Sequence, residues 1–277
     1  METLQIIVHL ILIALYCKVK IVGVLAFAPY HFSANSISKP TSSVSSHVLD
    51  SNNNGEQTQL TSKSLQKLLK NLLEEGSSIE SLLCSRMPIT SDCTRIDESK
   101  VKNAGRGLFA SKDVKKGDIL TCYPGDVLVV ASEKNPEMAT FVWGTHVSEN
   151  LRLDDNDLMT DMSGYILQVS EEHAIVGLPF LDEERAYAGH FANDGACPPR
   201  RESDIATYVL ESNDLSNAMH QSLTGCHMVT VATRDIQEGE EILVTYGPEY
   251  WMEHFAEYSD DDYQIQSTQV GNGKGFG

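Results

Sequence analysis

The six cysteines include no Cys-x-x-Cys pair, so the usual ligand spacing of a structural zinc site is missing. Six cysteines in 277 residues are also too few for a disulfide scaffold, and they leave the redox compartment open. Positive charge is scarce: 21 Lys and Arg stand against 39 Asp and Glu, a net charge of −18. That balance argues against a protein that tracks nucleic-acid phosphates, which needs clustered cations. It suits a basic partner, or serves solubility alone. No apolar run reaches the ~20 residues that span a bilayer. The run Leu4 to Tyr16 is interrupted by Gln5 and His9. No Gly-x-Ser-x-Gly nucleophile elbow is present. Patterns for crossover helices between parallel strands are few, which disfavours a doubly wound sheet.

One further absence is local. No acidic residue lies between Glu2 and Asp50. Residues 1–49 therefore carry about +2 and the remainder −20. Leu4–Tyr16, the small residues Val24-Leu25-Ala26 and the following Phe27 read as a signal peptide over residues 1–26. A membrane anchor or a mis-assigned start are the other readings, and no basic stretch precedes the apolar run. Residues 27–59 begin Phe27-Ala28-Pro29, continue rich in Ser and Thr, and end in a polar linker. This stretch resembles the bipartite presequences of algae with complex plastids, which implies a plastid address. A disordered linker is the plain alternative.

What is present after the leader is enough to fold, since 41% of the chain is apolar. Leu65, Leu68, Leu69, Leu72 and Leu73 mark an amphipathic helix stopped at Gly76, within a helical extension over residues 60–94. From about residue 95 short apolar runs alternate with turn residues. The runs predict strands at Gly107–Ala110, Asp118–Tyr123, Val127–Val130, Tyr165–Val169, Ala174–Val176, Ala206–Glu211, Met228–Ala232 and Glu241–Tyr246. Residues 110–118 and 232–240 echo each other: small, polar, basic, Asp, aliphatic, two variable residues, Gly, acid. Each predicts a turn at Gly117 or Gly239 with a strand beyond it, two like elements bracketing one domain. Residues 252–277, with Asp260–Asp262 and several glycines, read as a disordered acidic tail.

Several of these pieces stand in a telling order. They are Gly105-Arg106-Gly107-Leu108-Phe109-Ala110 with Asp113 to Gly117, then Tyr123-Pro124-Gly125-Asp126 and Gly164-Tyr165-Ile166-Leu167. His190-Phe191-Ala192-Asn193-Asp194-Gly195-Ala196 follows, then Val231 to Ile242, Tyr246-Gly247 and Tyr250-Trp251. The order resembles the SET-domain protein methyltransferases over roughly residues 95–251. The resemblance implies a mainly β fold with short helices: the SET-domain (β-clip) fold, several small sheets with a C-terminal pseudoknot. It implies transfer of a methyl group from S-adenosyl-L-methionine to a lysine of a protein substrate. Such transfer needs neither metal nor covalent intermediate, only alignment and a neutral amine. The cysteine spacing and the acidic balance, not the resemblance, predict no zinc and no direct nucleic-acid binding.

The resemblance also implies roles. Arg106, Gly107 and Leu108 contact the cofactor, largely through backbone. Asn193 binds its amino-acid end and Asp194 borders its adenine side by backbone. Tyr246 and Tyr165 are the catalytic tyrosines, Tyr246 also touching the cofactor, while Tyr250 and Trp251 close the substrate channel. Read without the resemblance, these could be ordinary strand tyrosines, a bulge at Gly105 and Gly107, and a turn at Asn193. His190 reads as packing, and the acids at 154–157 and 182–184 as solvated loops. Several features depart from the family pattern: no acidic residue stands near Ile175-Val176, no Cys-rich segment precedes the domain, and no Cys follows Trp251. Asp194-Gly195-Ala196 replaces His-Ser-Cys, which raises the alternative of a catalytically inactive SET-fold scaffold. The segment from Asn193 to Met228 is longer than in compact members, with Asn217-Ala218 in the place of the family's second Asn.

Overall fold

The computed structural model describes residues 58–59, 61–131, 139–154, 157–158 and 161–253. The leader, nearly all of the Ser/Thr-rich segment and nearly all of the acidic tail lie outside the described residues.

The leucine pattern forms helix α1 (Ser62–Glu74). Thr61 caps its start in a capping box with Ser64: the Ser64 amide donates to Thr61 Oγ1 at 3.1 Å and the Thr61 amide to Ser64 Oγ at 3.0 Å. Its end is a Schellman turn. The Gly76 amide donates to the Leu73 carbonyl and the Ser77 amide to the Leu72 carbonyl, with Gly76 at φ +95°. A short second helix, α2 (Ile79–Leu83), follows. Leu65, Leu69, Leu82, Met87 and Ile89 are all buried in one cluster with Ile119, Cys122, Tyr187, Leu223, Val229 and Val231. The helical extension thus shares its core with the strands that follow it.

Strands β1 (Thr58–Gln59) and β2 (Ile89–Thr90) pair in parallel. β3 (Thr94–Glu98) and β4 (Arg106–Ala110) form an antiparallel hairpin. β5 (Ile119–Cys122), β11 (Ala218–Leu223) and β12 (His227–Ala232) make a three-stranded sheet in the order β11-β12-β5. β6 (Val127–Ala131), β7 (Ala139–Trp143), β8 (Ile166–Gln168) and β9 (His173–Val176) form an antiparallel sheet in the order β7-β6-β9-β8. β10 (Asn193–Asp194) pairs in parallel with β13 (Leu243–Val244). The protein is therefore mainly strands in several small sheets, as the SET resemblance implies. Among the described residues no helix is long and apolar enough to cross a membrane.

The two echoed segments do more than bracket the domain, because they pair with each other. Val114 and Ile236 exchange amide-to-carbonyl bonds of 2.9 and 3.1 Å. The Gly117 amide donates to the Ala232 carbonyl, and the Gly239 amide to the Ala110 carbonyl. The Lys116 amide donates to Asp235 Oδ1 at 3.0 Å, and the Glu238 amide to Asp113 Oδ1 at 2.9 Å. Each contact has its counterpart in the other turn, so like sequences make a local pseudo-twofold clasp. Gly117 and Gly239 have φ +90° and +80°, where a side chain would be strained.

One expectation is corrected. Ala206–Glu211, read as a strand, is part of helix α3 (Ile205–Leu215). Thr, Tyr and Val favour strands, but only Tyr208 and Ser212 of this helix are buried, one helical turn apart. A strand would send Tyr208 and Leu210 to the same face; Leu210 is 68% exposed. The chain ends its described part in α4 (Pro248–Glu253).

Candidate active site

A cleft of about 230 Å³ gathers residues from four separate stretches of chain. It is lined by Arg106, Tyr165, Asn193, Asp194, Tyr246, Tyr250 and Trp251, together with Lys102, His190 and others. Seven of the nine residues singled out from the sequence therefore converge on one cavity. Gly107 and Leu108, next to Arg106 in β4, do not line it. Leu108 is fully buried and its carbonyl accepts from the Ile242 amide at 2.7 Å.

Gly107 has a steric task. A Cβ there would lie 2.4 Å from Glu241 Oε1 and 3.1 Å from Ser99 Cβ. Glu241, only 5% exposed, accepts from Ser99 Oγ at 2.5 Å and from the Lys100 amide at 2.8 Å. Ser99 Oγ in turn accepts from Asn193 Nδ2 at 3.1 Å, and the other hydrogen of that amide goes to the Arg106 carbonyl at 3.0 Å. Asn193 is thus oriented by its own nitrogen, and Oδ1 remains as an acceptor for a ligand ammonium. Gly107→Ala is expected to displace Glu241 and cost about 1–3 kcal/mol. Urea denaturation checks this; an unchanged midpoint would show that the carboxylate can move aside freely.

The Arg106 guanidinium is committed elsewhere. It pairs with Asp182 at 2.5 Å, donates to the Pro179 carbonyl and lies 4.5 Å over the Phe191 ring.

The C-terminal wall is aromatic. The Tyr246 ring stacks on Trp251 with centroids 5.6 Å apart and meets Tyr250 edge-on at 4.8 Å. Tyr246 Oη donates to the Ala192 carbonyl at 3.2 Å. Tyr165 closes a 3-10 turn, Ser163–Tyr165, just before β8. Its carbonyl accepts from Tyr123 Oη at 2.9 Å, and its ring meets His190 at 6.0 Å. His190 is 5% exposed, and neither ring nitrogen has a partner among the described residues. Burial pushes its pKa down to about 3, so the imidazole is neutral.

Asp194 lines the cleft while its carboxylate is turned inward and is 4% exposed. It accepts from the amides of Ala196 and Tyr246, both at 3.0 Å, and from Trp251 Nε1 at 3.2 Å. Tyr208 and Ser212 of α3 supply two further donors. Sequence reasoning missed these two because the segment was read as a strand. It also missed Glu241 and Ser99, whose only sequence signal was nearness to the Gly-rich and C-terminal motifs. Asn217, placed where the family has a second Asn, is buried and structural. Its Nδ2 donates to the Glu241 carbonyl at 2.7 Å and its Oδ1 accepts from the Leu243 amide at 2.8 Å.

Other reactive groups lie outside the cleft wall. Burial raises the thiols of Cys84 and Cys93 above their ordinary range, and that of Cys197 to about 11. Among the described residues no group of three or more His, Cys, Asp or Glu could hold a metal ion.

Comparison with known proteins gives two matches. A family model described as SET domain matches residues 105–247, just over half of the chain. The chain is 26% identical over 148 residues to N-lysine methyltransferase KMT5A-A of Danio rerio. That match covers 53% of this chain and about a third of the length of the zebrafish protein.

Proposed function

The chain belongs to the SET-domain family of methyltransferases, and from that premise we propose that it methylates the side-chain amine of a protein lysine with S-adenosylmethionine. The observation that carries this reading is the single cleft in which Asn193 and Arg106 meet Tyr165, Tyr246 and Trp251. The donor set fits the cofactor. Asn193 Oδ1 suits an ammonium, and stacked aromatic faces suit a positive sulfonium. S-adenosylmethionine supplies, when bound, a methyl group on a positively charged sulfur.

The chain's own part is to orient and to exclude water. A lysine ammonium has a pKa of ~10.4 and must lose a proton before it can attack. A cleft walled by Tyr165, Tyr246, Tyr250 and Trp251 disfavours the charged amine by desolvation. The Tyr246 hydroxyl is fixed on the Ala192 carbonyl, which sets its position on the cleft wall where the amine would enter. Such alignment lowers the barrier without any covalent intermediate. The body of the chain, near −20, attracts a lysine-rich substrate. The full complement of donors on Asp194 supports catalysis over the scaffold alternative, since the residue that departs from the family pattern is built into the wall and not left as a lesion.

The test has two parts. Calorimetry with S-adenosylmethionine is expected to show stoichiometric binding; silence there would remove the enzymatic reading. Lysine-peptide arrays with labelled cofactor are then expected to show transfer by the wild type. Tyr246→Phe should lower transfer by about a hundredfold, on the order of 2.7 kcal/mol of barrier, with cofactor affinity within a few-fold. Equal silence of both proteins on the arrays would favour a scaffold.

A further inference from the structure

We propose that Asp194 and Tyr208 act together as the positioning pair for the Tyr246 wall of the cleft, which makes the segment between Asn193 and Met228 a working part of the site. The inference rests on the methyl-transfer reading above and assigns a task to the residues that depart most from the family pattern.

The geometry is a two-sided grip on one short stretch of chain. Asp194 Oδ2 accepts from the Tyr246 amide at 3.0 Å, from Trp251 Nε1 at 3.2 Å and from Tyr208 Oη at 2.6 Å. Tyr208 Oη accepts from the Gly247 amide at 3.0 Å and lies 3.3 Å from Thr245 Oγ1. Three consecutive residues, Thr245, Tyr246 and Gly247, are thus held by two side chains that are bonded to each other. The second oxygen, Oδ1, accepts from the Ala196 amide at 3.0 Å and from Ser212 Oγ at 3.2 Å. Tyr208 and Ser212 lie one turn apart on α3 and face Asp194 together. A buried carboxyl is costly without donors. Here five converge on it, two of them from the inserted helix. Asp at 194 and the helix therefore belong together: the acid needs the hydroxyls, and α3 is tied through the acid to the aromatic wall. Tyr208, Trp251 and Ala196 pack in one small apolar cluster, with Tyr246 and Tyr250 against it. Rotation of the Tyr246 ring would have to break either the stack on Trp251 or the grip on its backbone.

The variant that tests this is Tyr208→Phe, which keeps the ring in its cluster and removes the shared hydroxyl. The chain has two tryptophans, so a Trp143→Phe background leaves Trp251 as the only indole reporter. The amine probe is n-butylammonium, the lysine side chain without its backbone, titrated in the presence of S-adenosylhomocysteine and read by Trp251 emission. Cofactor affinity is measured separately by calorimetry. In Tyr208→Phe the cofactor Kd is expected to stay within twofold and the amine Kd to weaken about tenfold, the loss of one well-placed hydrogen bond. The Trp251 emission of the free protein is expected to shift as well. A lower melting temperature with unchanged amine affinity and unchanged emission would show a purely structural role and overturn the proposal. So would a wild type that binds cofactor but no amine. A wild type that binds no cofactor overturns the methyl-transfer reading itself, which is a different result.

Discussion

Deletion of residues 60–92 is expected to abolish cooperative folding of the whole body, even though the family match begins only at residue 105. The deleted segment contributes Leu65, Leu69, Leu82, Met87 and Ile89 to a core shared with β5, β11 and β12. At about 1.5–3 kcal/mol for each fully buried apolar side chain, five amount to roughly 10 kcal/mol. A domain's entire margin is only ~5–15 kcal/mol. The polar losses add to this. Arg86 Nη2 pairs with the fully buried Asp126 at 2.8 Å. Burial alone would raise the Asp126 pKa, but His146, Arg86 and the Leu178 amide hold it below the ordinary carboxylate range. Without Arg86 that charge loses one of its partners. His227 Nδ1 would lose the Leu82 carbonyl at 3.1 Å, and Tyr187 Oη would lose the Met87 amide. The main chain is fitted as closely: a Cβ on Gly125 would lie 1.8 Å from the Leu83 carbonyl oxygen. Leu69→Ala is the graded companion, expected to cost about 2–5 kcal/mol. Circular dichroism melts compare the three proteins. A deletion variant that still melts cooperatively would show that the extension is only an appendage.

The sequence made much of this architecture legible, and what it hid has physical causes. Gly117 and Gly239 were legible because a positive φ leaves few residue choices. The leucines of α1 were legible because a five-member apolar stripe has few other meanings. That the two echoed turns clasp each other was not, because pairing between residues 122 positions apart leaves no local pattern. β11, Ala218-Met-His-Gln-Ser-Leu, went unread because it shows no apolar alternation; only its two end residues are buried. α3 was misread because tertiary partners, not propensity, decide it: Asp194 collects Tyr208 and Ser212. For the same reason Asp194 looked like a loss in the sequence. A lone acid in place of a histidine carries no sign of the donors that will surround it, two of them 14 and 18 residues further on.

Stability is expected to fall steeply between about pH 6.5 and pH 4, and the cause is buried imidazole. Burial lowers the pKa of His190 to about 3 and that of His227 below the ordinary value, although the Leu82 carbonyl works the other way on His227. His220, against Tyr123 and Thr230, is lowered to about 4. Above pH 6.5 these rings are neutral both folded and unfolded, and pH has no purchase on them. Below it the unfolded chain takes up protons that the folded chain refuses, so acid favours unfolding. The slope is about 1.4 kcal/mol per pH unit for each ring that is protonated unfolded and neutral folded. For His190 the effect persists to about pH 3, where the folded ring is itself protonated. Between pH 6.5 and 4.5 this one residue is expected to remove on the order of 3 kcal/mol. Asp126 acts in a separate, lower window, since its folded pKa lies below the usual carboxylate range and its partners are lost only there. His190→Phe isolates the effect. Among the described residues neither ring nitrogen of His190 has a partner to lose, so at pH 7.5 the variant is expected to be as stable as the wild type or more so. At pH 4.5 it should be the more stable protein by several kcal/mol. Urea denaturation at both pH values reads the difference. If the wild type and His190→Phe lose stability in parallel as the pH falls, the His190 imidazole is not the neutral, buried group described here.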